Sequence, residues 1–148
     1  GGVLGEGTKF LFPSVQTTMT IPSTARKAIS VGAYNSRYFS YADFSGRGFT
    51  RVSNEVKPDI TAPGVGIMTA APGGGYGTRT GTSFAAPFVT GAAALMMQWG
   101  IVEKNDPFLY GEKLKAYLRR GARRLPGEEY PNPEEGYGAL CLRDSFPV

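Results

Sequence analysis

The segment from Ser83 to Trp99 (SFAAPFVTGAAALMMQW) carries no charge and is built mainly from Ala, Val, Leu, Met and Phe. A helix that is apolar on every face must be buried on every face. The remainder of the chain has to supply the layers around it. Pro87 constrains where such a helix begins, because proline is tolerated only near the first turn, where backbone N–H groups have no helical partner. That places the helix start at about Ser83. The wider uncharged stretch, Thr80 to Gly100, holds Pro87, Gln98 and several small polar residues. It reads as a buried helix rather than a membrane span. No basic segment leads into an apolar run, so no signal peptide is visible. With 148 residues, 41% hydrophobic and 19% charged, the chain can bury a core and is not a disordered segment. Its 21 glycines and 11 prolines favour a turn-rich α/β or β fold over a helical bundle.

Shorter elements surround this helix. Gly1 to Gly7 is a glycine-rich loop, and Lys9 to Thr20 (KFLFPSVQTTMT) is β-rich but interrupted by Pro13. Ala28 to Ala33 (AISVGA) reads as a short buried strand and Ile67 to Ala71 as a further short strand. Tyr38 to Phe49 alternates aromatic and small residues around a Ser-Gly turn. Lys57 to Val65, with two prolines, suits a short extended segment, and Pro72 to Gly77 an open loop. A second helix is expected with Asp106 as N-cap, Pro107 at its first position and Gly121 at its C-terminal cap. Leu109, Leu114, Tyr117 and Leu118 form its apolar stripe. Leu125 to Glu135 is a loop, and Gly136 to Leu142 a short final element.

Several function classes are excluded outright. There is no histidine, so neither a Ser-His-Asp triad nor a histidine metal site can be completed within these residues. The single cysteine, Cys141, allows no internal disulfide and no thiolate zinc cluster. It lies in an apolar run and reads as a buried core thiol. The net charge of +4 is scattered, without the clustered face and aromatic platforms of a nucleic-acid binder. Arg119, Arg120, Arg123 and Arg124 end the second helix, where they complement its dipole and stay solvated. The glycine-rich PGGGYGTRTGTS lacks the Lys-Ser/Thr pair and the spacing of a phosphate loop. No acidic cluster makes a strong calcium loop. No cofactor is expected, and a structural calcium is left open.

The chemistry concentrates in Gly81-Thr82-Ser83, where a turn enters the apolar helix. Backbone N–H groups at a helix start are unpaired and favour negative charge, including a tetrahedral oxyanion. Small flanking residues let a substrate backbone approach closely. Ser83 is therefore placed for nucleophilic attack, given a general base. The same residues are equally consistent with Ser83 serving only as a helix cap.

GTSFAAPFVTGAAAL resembles the nucleophile segment of the subtilases, the subtilisin-like serine proteases, whose pattern is Gly-Thr-Ser-x-Ala-x-Pro ahead of a small-residue helix. Gly81, Thr82, Ser83, Ala85, Pro87, Gly91 and Ala92 match. AISVGA (28–33), FSGRG (44–48), KPDITAPGVGI (57–67) and YPNPEEGYGALCL (130–142) resemble further family segments in the family's order. FLFPSVQTTMTIPSTARKAISVGAYN is similar to the clostridial germination-protease branch. The resemblance implies that Ser83 is the nucleophile and that its own N–H is an oxyanion donor, with Gly81 and Thr82 shaping the substrate backbone site. It implies a structural hydrogen-bonding role for Asp59. Three family features have no counterpart here: the Asp-Ser/Thr-Gly motif, the histidine, and an asparagine ahead of AISVGA, since Asn35, Asn54, Asn105 and Asn132 all follow it.

The resemblance implies an α/β fold of subtilisin type, a mainly parallel sheet with packed helices, present as its C-terminal half. Residues 1–20 are expected to be a β-rich leader or the remnant of an upstream insert, and 21–148 the C-terminal part of the catalytic domain. The implied function is serine endopeptidase cleavage of peptide or protein substrates, inactive without the upstream half. A non-catalytic pseudoprotease or regulatory module is the alternative; an α/β-hydrolase fragment explains fewer segments. The missing half is the expected partner, with self-association in its absence. No nucleic acid or membrane partner is expected, and the location implied is extracytoplasmic.

Overall fold

The computed structural model describes residue 5 and residues 7–147; most of the expected Gly1–Gly7 loop lies outside them. Strand β1 (Val31–Asn35) forms the centre of a three-stranded sheet. It pairs in parallel with β3 (Ile60–Pro63), with Val31 opposite Ile60 and Ala33 opposite Ala62. At its other edge it pairs antiparallel with the two-residue β2 (Ser40–Tyr41). The tail continues the sheet beyond β3: Thr61 N–H donates to the Gly138 carbonyl at 2.9 Å, and Leu140 N–H to that of Thr61 at 2.8 Å. A separate hairpin joins β4 (Ile67–Ala70) to β5 (Tyr76–Arg79), so the second strand occupies residues expected partly as loop. Gly73, Gly74 and Gly75 all have positive φ and make the turn that permits this pairing. Lys9 to Thr20, expected to be β-rich, forms no strand. Phe10, Leu11 and Phe12 are 78%, 90% and 94% exposed, and no neighbouring strand lies beside them among the described residues.

Helix α1 (Thr82–Met97) packs on β1 and β3. Its buried residues are Ala85, Val89, Ala92 and Met96, one stripe at helical spacing. The expectation of burial on every face is corrected: Phe88 is 43% and Leu95 52% exposed, and Met97 is also exposed. The described residues cover only one side of this helix. Pro87 is the sixth helical residue rather than a first-turn residue, and it denies the Ser83 carbonyl its usual N–H partner. A π-helical turn, Gln98–Val102, prolongs α1. By length and hydropathy alone Thr82–Val102 could cross a membrane, yet its buried stripe docks on the sheet. Trp99 meets the Phe146 ring edge-on, with centroids 5.4 Å apart.

The second helix, α2 (Gly111–Arg120), starts four residues later than expected. Asp106 accepts from the Phe108 N–H at 3.3 Å and from Lys113 Nζ at 2.7 Å, so it closes a preceding turn instead of capping the helix. Gly111, at φ 56°, breaks the backbone between that turn and α2. Gly121 ends α2 as expected. A short α3 (Leu142–Ser145) closes the chain. Cys141 is half-buried rather than a core residue, and its thiol lies 3.2 Å from the Asp144 carboxylate.

One buried carboxylate ties α2 to the sheet. Asp59, 1% exposed, accepts from the Ser30 N–H at 2.6 Å, from Lys57 Nζ at 2.8 Å and from Arg119, with Lys115 Nζ at 3.4 Å. Burial alone would raise its pKa, but hydrogen bonds from Lys57, Ser30 and Arg119 outweigh that and hold it below the usual carboxylate range. Burial pushes Lys115 below the ordinary lysine value, with Asp59 opposing the shift. The arginine cluster is thus not simply solvated. Arg119 joins this network and stacks on Tyr137, while Arg120, Arg123 and Arg124 lie over Tyr117, Phe39 and Tyr130.

Replacing Asp59 with Asn leaves buried Lys57 and Lys115 without their counter-charge. Denaturant unfolding at pH 7 is expected to show a loss of roughly 3–5 kcal/mol. Because the folded pKa is depressed, this stabilisation is present above the ordinary aspartate value of about 3.9 and is lost as pH falls through the folded one. The gap between wild type and Asp59→Asn therefore narrows in acid; a gap independent of pH contradicts the assignment.

Candidate active site

The start of α1 is set by contacts to the turn after β3. Gly81 N–H donates to the Gly64 carbonyl at 2.8 Å, and Thr80 Oγ1 accepts from the Gly66 N–H at 3.0 Å. Gly81 has φ 153° and ψ 159°, a backbone region open essentially to glycine alone. Gly64 lies between sheet and helix: a Cβ there would stand 2.6 Å from that of Ala33, 3.1 Å from the Gly81 carbonyl oxygen and 3.4 Å from that of Ala85.

Gly81 is the N-cap, Thr82 the first helical residue and Ser83 the second, and no side chain caps the helix. Ser83 is exposed. Among the described residues its hydroxyl has no hydrogen-bond partner, which argues against a capping role. Phe84 N–H turns back to the Gly81 carbonyl at 3.0 Å. The N–H groups of Thr82 and Ser83 precede the first intrahelical bond and are available to an acceptor. Ser83, Pro87, Thr90, Gly91 and Ala94 follow one another along the exposed face of α1, opposite the buried stripe.

Two open cavities meet at Thr82. One, of about 290 Å³, is lined by Ser83, Ala86, Pro22, Ser23 and Ala28–Val31. The other, of about 530 Å³, lies between the Thr18–Thr20 segment, β1 and the Asp43–Arg47 turn. The structure therefore brings Gly81, Thr82 and Ser83 together with the AISVGA segment, in which only Val31–Ala33 is strand and residues 28–30, expected as strand, lead into it. Spacing alone does not reveal that Ser23 and Ser30 share the Ser83 cavity, since they lie some sixty residues upstream.

No general base stands beside Ser83 among the described residues. Asp59 is enclosed by its cations, Asp106 is paired with Lys113 and Asp144 with Arg143, and Asp43 lines the larger cavity rather than the one that holds Ser83. Asn35, Asn105 and Asn132 hold local turns, accepting from or donating to neighbouring backbone groups. No group of three or more His, Cys, Asp or Glu able to hold a metal occurs among the described residues.

A serine at the uncapped start of a helix laid on an α/β sheet, beside an open cleft, is an arrangement that can serve acyl chemistry once a general base is supplied. The profile of the subtilase family matches residues 11–138, and the chain belongs to that family. It is similar to the minor extracellular protease Vpr of Bacillus subtilis, 36% identical over 71% of this chain and 13% of Vpr. It is also similar to an intracellular serine protease of Paenibacillus polymyxa, 36% identical over 82% of this chain and 33% of that protein. Among solved structures, the CspB protease of Clostridium perfringens superposes with a TM-score of 0.90 at 50% identity, over 96% of this chain and 30% of that one. The chain thus spans a third or less of these proteins, and its fold is subtilisin-like.

Replacing Gly64 with Ala forces the start of α1 away from β1. Unfolding measurements are expected to show a loss of roughly 1–3 kcal/mol. An unchanged midpoint would contradict the close approach.

Proposed function

We propose that this chain carries the nucleophile of a serine endopeptidase and that Ser83 is that nucleophile. The observation that carries the reading is an exposed, unpartnered Ser83 hydroxyl at the second position of an uncapped helix, beside an open cleft. Ser83 Oγ attacks the scissile carbonyl, and its own N–H donates to the developing oxyanion. Gly81, without a side chain, keeps the approach to Thr82 and Ser83 clear. The proton passes to a histidine outside these residues, held in orientation by an aspartate. Collapse of the tetrahedral intermediate breaks the peptide C–N bond and leaves an ester on Ser83, which water then hydrolyses. Residues 21–148 form the C-terminal part of the catalytic domain in this reading, preceded by the leader 1–20.

The substrates are peptides or proteins, as the names of the related proteases suggest. The location proposed is extracytoplasmic, which the relationship to Vpr favours, although the Paenibacillus relative is named intracellular. The alternative, a subtilase module without catalysis, predicts the same fold.

Fluorophosphonate labelling separates the two. The full-length protein is expected to label at Ser83, Ser83→Ala to abolish labelling, and residues 1–148 alone to remain unlabelled. Absence of labelling in the full-length protein would favour the non-catalytic module. Stoichiometric labelling of the isolated chain would overturn the external base.

The second partner proposed is the remainder of the catalytic domain, seated on the exposed face of α1. Phe88, Leu95 and Met97 leave large apolar side chains exposed on α1. The isolated chain is expected to self-associate in sedimentation at micromolar concentration, and Phe88→Gln with Leu95→Gln to shift it toward monomer. A clean wild-type monomer would remove the argument for a cover.

A further inference from the structure

The larger cavity beside Thr82 holds one charged group without an ion-pair partner. Its lining includes Asp43 and Arg47. Arg47 is engaged: its guanidinium lies 3.0 Å from the Glu134 carboxylate and is stacked 4.9 Å from the Tyr41 ring centroid. The turn that carries both residues is held from three sides. Ser45 Oγ accepts from the Ala33 N–H at 3.0 Å, and Tyr41 donates its hydroxyl proton to the Ser45 carbonyl. Thr18 closes the third side: its N–H donates to the Arg47 carbonyl at 2.8 Å, and its Oγ1 accepts from the Arg47 N–H at 2.8 Å. Asp43 is exposed and enters no salt bridge among the described residues. Apolar groups line the same space, among them Met19, Val31 and Phe44. A volume of about 530 Å³ accommodates a long side chain, with an apolar wall for its methylenes and a carboxylate for its head.

Resting on the nucleophile reading above, we propose that Asp43 is a specificity-determining residue: it draws a lysine or arginine side chain of the substrate into this cavity while the neighbouring backbone lies at Ser83. Thr82 connects the two events, because it lines both the Asp43 cavity and the Ser83 cleft. A long basic side chain suits the arrangement for a physical reason. Its stem displaces water from Val31 and Phe44, and its cation meets the exposed Asp43 carboxylate, a pair that adds modestly to affinity but discriminates by sign of charge. A carboxylate substrate side chain would meet a like charge and be disfavoured.

The test uses the full-length protein and a pair of peptides that differ only in carrying lysine or norleucine at one position, scanned along the peptide. In a Ser83→Ala background, fluorescence anisotropy is expected to show tighter binding of the lysine peptide at one position, by about threefold. Asp43→Asn is expected to abolish that difference with the norleucine affinity unchanged, and Asp43→Lys to reverse it toward a glutamate peptide. Hydrolysis by the protein with Ser83 intact should carry the same preference in kcat/KM. Binding preference without hydrolysis would sink the nucleophile reading and leave this one standing. Hydrolysis or binding with no lysine preference, or a preference untouched by Asp43→Asn in a protein that still binds norleucine peptides, would overturn it.

Discussion

The fold depends on how closely α1 can approach the sheet. Ala33 and Ala62 present the smallest side chains that still bury apolar area, Gly64 presents none, and Ala85 meets them from the helix. Interiors pack at near-crystalline density, so one methyl at position 64 cannot be absorbed without moving backbone. The same contact sets the functional geometry. Because Gly81 N–H is bonded to the Gly64 carbonyl, the chain enters the helix from a fixed point, and Ser83 falls one residue past the first helical position. Packing and chemistry share this hinge, which is why small residues recur on both sides of it.

The Asp59 network performs the complementary task at the entrances to β1 and β3. Lys57 and Asp59 flank Pro58 at the entrance to β3, Ser30 precedes β1, and Lys115 and Arg119 come from α2. Lys57 also donates to the Ala28 carbonyl at 2.7 Å, and Lys115 to that of Arg26 at 2.6 Å. The carboxylate therefore registers the strand entrances against one helix face. Burying three cations around it is unfavourable unless nearly every donor finds an acceptor. Most do, but Arg119 Nε and the Ser30 hydroxyl are left unpaired. Specificity of docking, rather than net stability, is the natural use of such a cluster.

Much of this was legible in the chain and some was not, for physical reasons. The helix stop at Gly121 follows from local chemistry, and the structural role of Asp59 from the family resemblance; the strand expected over residues 28–33 is shifted to Val31–Asn35, with only Val31–Ala33 shared. The start of α2 does not: Asp-Pro at 106–107 reads as a helix entry, yet Asp106 is captured by the Phe108 N–H and by Lys113. Position alone suggested a dipole role for the Arg119–Arg124 cluster, whereas aromatic faces from residues 39, 117, 130 and 137 decide where the guanidiniums lie. The pairings of Arg119 with Tyr137 and of Arg123 with Phe39 are distant in sequence and leave no periodic signal. The strong β propensity of Lys9–Thr20 counted for nothing without a strand to pair with, because propensity in sheets reports packing against neighbours. The opposite fault affected α1. Its composition describes the burial of a complete surrounding, and these residues supply one side of it.

That uncovered side bears on the chemistry. Ser83, Pro87, Thr90, Gly91 and Ala94 share the face of α1 that points away from the sheet, with Phe88 and Leu95 at its flank. On the acyl-transfer reading, the group lacking at Ser83 is a base, and what is lacking around α1 is apolar cover. A segment that docks on this face removes water from the helix and from the mouth of the Ser83 cleft in one step. Donors aimed at an oxyanion act more strongly as water is excluded, so the Ser83 N–H gains effect from the same burial that satisfies Phe88 and Leu95. A base carried on the docking segment would arrive with the dehydrated environment that makes its proton transfer productive. Activity and completion of the core are then one equilibrium, and loosening the cover would weaken catalysis before it unfolded the sheet.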